Sequence, residues 1–145
     1  SMIHLITREN IDLLPTVVPA LARAFNRTDL GKFWDFEHLV HSLVNYEAYV
    51  FYQEESGYAG VIQVSQAPLG NILHFFWSGK MPGNETPVDY SEVDDFLGQF
   101  AQRVNCRFIQ CEGRRGWKPT LEKLGYTEDS VSFYREVTPD ELPPI

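Results

Sequence analysis

Apolar positions change their spacing several times along the chain, and each change predicts an element. Residues 3–8 (IHLITR) are a short apolar run that predicts a strand. Leu14, Val17, Val18, Leu21, Ala22 and Phe25 then recur at intervals of three and four, the period of an amphipathic helix. Asn10 stands where its N-cap would be, Pro15 is tolerated in the first turn, and Pro19 predicts a kink. FNRTDLG (25–31) reads as a loop, and Phe36, Leu39, Val40, Leu43 and Val44 mark one face of a second helix. The period then shortens. YEAYVFYQ (46–53), YAGVIQVSQ (58–66) and NILHFFWSG (71–79) are β-branched and aromatic runs separated by the turn signals ESG (55–57) and Pro68–Gly70. MPGNETP (81–87) has no period.

Helical spacing returns from Tyr90 to Val104 through Val93, Phe96, Leu97, Phe100 and Ala101. CRFIQCEG (106–113) predicts a strand, Pro119–Leu124 a short helix stopped by Gly125, and VSFYREV (131–137) a last strand. The predicted order is β-α-α-β-β-β-α-β-α-β. It calls for one α/β domain over residues 2–138, a mixed and mainly antiparallel sheet with helices on both faces. Residues 139–145 (PDELPPI) are expected to be a flexible Pro-rich acidic tail.

Composition narrows the function classes. At 145 residues the chain can bury roughly 68–70% of its extended surface and needs no disulfide or metal to fold. Lys and Arg number 12 against 20 Asp and Glu, for a net charge of −8 and a pI near 4.9. That balance argues against nucleic-acid and anionic-membrane partners, both of which recruit clustered cations. No apolar run reaches 18 residues, and the N-terminus has no signal-peptide pattern, so a cytoplasmic location is expected. Cys106 and Cys111 lie too far apart along one strand to bridge, so two buried reduced thiols are expected. EHLVH (37–41) places His38 and His41 three apart but marks no third ligand, so no metal site is expected.

The element order, together with EGRRGWKPTLEKLGYTEDSVSFYREV (112–137), resembles the GNAT superfamily of acetyl-CoA-dependent N-acetyltransferases. The segment LEKLGY (121–126) is similar to the family's common ending, a last helix closed by a Leu-Gly-aromatic turn. The GRRGW…LGY wording also resembles small GNAT-like proteins of bacteriophages, some of which bind other proteins and do not catalyse. The resemblance implies acetyl-CoA as cofactor if the chain is catalytic, and a host cytoplasm or virion location if it is phage-encoded.

Two departures accompany it. The family holds the CoA pyrophosphate on a glycine-rich loop at a helix N-terminus, where backbone N–H groups and the helix dipole favour an anion. Here that place reads WSGKMPGNETPVDYSEVDD, and the helix opens on Asp89, Glu92, Asp94 and Asp95. The family's general-acid Tyr in the last helix falls on Leu121, which has no proton to give.

Candidate residues follow. His74 is the candidate base, as an imidazole on the strand that carries the base in many family members, with Glu47, Glu112 and Asp89 as further carboxylates for that role. Trp77, Ser78, Gly79 and Lys80 would border the cofactor. Arg114 and Arg115 could bind a phosphate or carboxylate bidentately, or could pair with Glu112 and the acidic helix start. Phe33, Trp34 and Phe36 cannot all be buried on one amphipathic helix, so a substrate or partner groove is expected among them. Two functions compete: a GNAT-fold protein with a degenerate CoA site that acts by binding another protein, and an active N-acetyltransferase with a divergent pyrophosphate loop. A strand pairing that stays closed between 72–77 and 107–111 would leave no room for the cofactor.

Overall fold

The computed structural model describes residues 2–139. Its elements are β1 (Ile3–Ile6), α1 (Leu14–Phe25), α2 (Phe36–Val44), β2 (Ala48–Gln53), β3 (Tyr58–Ser65), β4 (Asn71–Lys80), α3 (Tyr90–Arg103), β5 (Cys106–Cys111) and α4 (Lys118–Lys123). The five strands form one sheet in the order β1-β2-β3-β4-β5. The first four are antiparallel neighbours and β5 joins β4 in parallel, after the α3 crossover.

Period-two alternation sends side chains to two separate cores. Val50, Ala59, Val61 and Trp77 meet Val17, Leu21, Leu39 and Leu43 of α1 and α2. Phe51, Ile62, Leu73 and Phe75 meet Val93, Leu97 and Phe100 of α3 on the opposite face. Each fully buried side chain of this size contributes about 1.5–3 kcal/mol. These two layers hold the sheet between its helices.

Several local expectations change. The cap before α1 is Thr7, whose hydroxyl accepts from Glu9 N–H, while Asn10 sits three residues inside and accepts from Thr7 N–H through its side chain at 2.7 Å. This capping box opens a short 3₁₀ turn (Arg8–Leu13), so Asn10 completes the cap and is not itself the N-cap. Helix α1 runs through Pro19 as a single element. A 3₁₀ turn (Leu30–Lys32) interrupts the expected 25–31 loop. Cys106 and Cys111 are free and half-buried, not fully buried.

The expected last strand is absent: residues 131–137 form no ladder among the described residues. Val131, Phe133, Tyr134 and Val137 are all exposed, so this segment buries neither of its faces, and nothing specifies a register against β5. Tyr134 instead donates to Asp29 Oδ2 at 2.6 Å and packs edge-on against Phe33. Of the tail expected at 139–145, residues 140–145 lie outside the described residues.

Candidate functional site

The site begins with a bulge. Val61 pairs with Trp77 and Ile62 with Phe75, so Phe76 is an extra residue in β4. A bulge bends its strand and increases the local twist. On the other side of β4, parallel pairing with β5 runs from Ile72↔Phe108 to Phe75↔Cys111, and its last link is Glu112 N–H to Phe75 O at 2.9 Å. Beyond Cys111 the chain leaves the ladder, and β4 continues to Lys80 paired with β3 on one side and with no strand on the β5 side among the described residues. Of the expected pairing between 72–77 and 107–111, residues 72–75 are closed against 108–111, and Phe76 and Trp77 have no partner in β5.

A cleft of about 560 Å³ fills this gap. Its lining draws on both faces of the sheet: Ala24 and Leu30 from the α1 side, and Tyr58, Tyr90 and Trp117 from the α3 side. The cleft is thus a slot beyond the last β4–β5 rung, lined from both faces of the sheet. Gly79 lets α1 lie directly on its rim: a Cβ there would fall 1.9 Å from Ala20 O. Trp77 is 1% exposed, and its Nε1 donates to Leu21 O at 2.9 Å, so its indole belongs to the α1 core.

Cations gather in the slot. Arg23, Arg27, Lys80 and Arg114 line it against two carboxylates, Asp29 and Glu112. Both carboxylates are engaged, Asp29 by the Tyr134 hydroxyl and Glu112 by His74. None of the four cations has an ion-pair partner among the described residues. In an acidic chain this is a concentrated positive site. Arg23 and Arg27 come from α1 and the turn after it, and they went unremarked in the sequence as helix C-terminal cations. Lys80 is the cross-strand partner of Tyr58 and shares its α3 side. Burial raises the Tyr90 phenol pKa, and the charge of Arg114 offsets part of that rise. Arg115, expected beside Arg114, sits in the next 3₁₀ turn and does not line the slot.

His74 Nε2 lies 2.8 Å from Glu112 Oε1, and its ring stacks on Phe76. The imidazole does not itself line the slot; Glu112 does. Ser78 lines the slot on β4. Phe33 is 61% exposed and lines the slot, whereas half-buried Trp34 packs on Phe76, and Phe36 packs on Phe25 and Trp77. His38 is bonded to Asp35, and His41 Nε2 lies 3.0 Å from Asn45 Nδ2. Glu47 is exposed at the start of β2.

The acidic start of α3 is tied into the chain by hydrogen bonds, although Asp89 and Asp95 are exposed. Asp89 accepts from Glu92 N–H, and Gln53 Nε2 donates to both Asp89 O and Glu92 Oε1. Asp89 N–H goes to Gln53 Oε1, and Asp94 accepts from the Tyr126 hydroxyl at 2.6 Å. In the preceding loop, Asn84 N–H goes to Met81 O and Thr86 N–H to Asn84 Oδ1. The N–H groups of Asn84, Thr86, Asp89 and Glu92 thus have acceptors within the chain. Leu121 borders a separate small cavity with Cys111 and Tyr126.

No protein-family model matches the sequence, and no curated protein matches it. Solved structures do. An aminoglycoside acetyltransferase from an uncultured soil metagenomic sample, solved with sisomicin, superposes with a TM-score of 0.66 at 15% identity over 94% of this chain and 96% of that one. A ribosomal-protein-alanine N-acetyltransferase from Brucella melitensis biovar Abortus 2308 gives 0.67 at 12% identity, over 94% and 100%. A predicted acetyltransferase from Clostridium acetobutylicum, solved with acetyl-CoA, gives 0.68 at 14%, over 93% and 95%. The protein therefore has the fold of the GNAT acetyltransferases over nearly its whole length.

Proposed function

We propose that the chain is an acyl-CoA-dependent N-acyltransferase that holds its donor in the slot between β4 and β5. The observation that carries this is the slot itself, which is lined from both faces of the sheet and lets a donor from the α3 side meet an acceptor from the α1 side. The unpaired β4 edge from Phe76 to Lys80 offers peptide groups to an amide-bearing arm. Lys80 and Arg114 offer phosphates positive charge at the slot. When bound, the donor supplies an acyl carbon activated as a thioester. An amine nitrogen bonds to that carbon, the carbon–sulfur bond breaks, and the proton lost by the amine ends on the thiol. Glu112, oriented by His74, is placed to take up that proton at the slot. Transfer of this kind needs positioning more than a covalent nucleophile. The free thiols Cys106 and Cys111 suit a reducing compartment such as the cytoplasm. Acetyl-CoA incubated with a mixture of primary amines should release free CoA thiol faster with the protein than without it; equal rates would reject the assignment.

The self-capped start of α3 and Leu121 favour one alternative, a degenerate GNAT-fold protein that acts by binding another protein, as in a phage or host-interaction setting. Exposed Phe33 and Phe133 would then belong to the contact surface. It stands if acetyl-CoA neither binds nor turns over.

A further inference from the structure

We infer that the α1 side of the slot is an anion-recognition site, so that the acceptor is an amine that also carries a carboxylate or a phosphate. This rests on the acyltransferase assignment for the word acceptor, and on the slot's own charges for the rest. Arg23 and Arg27 line the slot from α1 and the turn that follows it. Arg23 is partly fixed: its Nη1 donates to Lys80 O at 3.2 Å, which holds the guanidinium against the end of β4. The Arg27 guanidinium has no hydrogen-bond or ion-pair partner among the described residues.

Neither slot carboxylate forms an ion pair with them among the described residues, and the slot holds four cations against two carboxylates. A polycationic amine entering from this side would meet two unneutralised guanidinium groups, which disfavour it. An anionic group meets two planar donors suited to bidentate contact. Glu112 remains for the amine end of the same molecule, at the level where β4 and β5 part. The substrate class is thus set against that implied by the sisomicin complex of the structurally similar aminoglycoside acetyltransferase.

Calorimetric titration of the full chain with L-glutamate, O-phospho-L-serine, L-lysinamide and sisomicin tests this without a donor. At least one of the two anions should bind about tenfold or more tightly than either cationic probe. Glutamate and phosphoserine arms separate carboxylate from phosphate recognition. Arg27→Gln should weaken the anion about tenfold, and Arg27→Glu should move the preference toward L-lysinamide. Arg27 is exposed and its side chain makes no hydrogen bond or ion pair among the described residues, so both variants should keep the wild-type circular dichroism spectrum. Equal or tighter binding of the cations, or no binding of either anion at millimolar concentration, overturns the inference. If an anion binds as expected but acetyl-CoA yields no transfer to it, the anion site stands and the acyltransferase assignment fails.

Discussion

His74 on β4 and Glu112 just after β5 lie 2.8 Å apart, Nε2 to Oε1, at the level where the two strands separate. The pair ties together the last closed rung of the ladder and the first open stretch of the slot. In the acyltransferase account its work is proton removal. His74→Asn or Glu112→Gln should lower kcat about 10²–10⁴-fold with little change in KM. Steady-state kinetics with any acceptor that turns over would show this. A loss confined to KM would assign the pair to binding alone.

Lys80 and Arg114 line the slot, and Arg115, one residue further on, does not. Arg114→Gln should therefore weaken acetyl-CoA binding about tenfold, and Lys80→Gln by a similar factor. Arg115→Gln should leave it unchanged. Titrations of the three variants side by side check this, and equal effects of Arg114 and Arg115 would mean diffuse charge and not contact.

Much of the fold was legible in sequence because it depends on local periodicity. The helical spacing of Val93, Leu97 and Phe100 points to the face that the structure buries, and the β-branched and aromatic runs 46–53, 58–66 and 71–79 fall on β2, β3 and β4. VSFYREV misled for the complementary reason. Its composition favours a strand, but a strand exists only where a partner ladder and a buried face exist, and neither is encoded within seven residues. The site was legible one residue at a time. His74 and Arg114 stand out by type, whereas the slot depends on a bulge at Phe76 and on Arg23 reaching Lys80 across 57 positions. Those relationships exist only once the chain has folded.

Gly79 permits the close approach of α1 to β4, since a Cβ there would lie 1.9 Å from Ala20 O and 2.9 Å from Ala20 C. Gly79→Ala should cost about 1–3 kcal/mol, because backbone and not a flexible side chain must move. A Cβ on Gly116 would meet nothing within 4 Å, so Gly116→Ala is the matched control. Urea denaturation should show a lower midpoint for the first variant only, with an unchanged slope for both.

Burial pushes the Cys111 thiol up to about 11. Burial penalises the thiolate, so the reactive form is scarce at neutral pH. In a Cys106→Ser background, the alkylation rate of Cys111 by iodoacetamide should keep rising toward pH 11. At pH 8 its thiolate fraction should be about a hundredfold below that of an unperturbed thiol. A rate that levels off near the ordinary thiol range would place Cys111 in water.

The slot between β4 and β5 is the central claim, and its occupancy by an acyl-CoA can be measured directly. Calorimetric titration of the protein with acetyl-CoA should give one site of micromolar affinity, lost at high salt as the slot cations are screened. Absence of binding at millimolar acetyl-CoA and low salt would contradict the account and leave a GNAT fold without its donor.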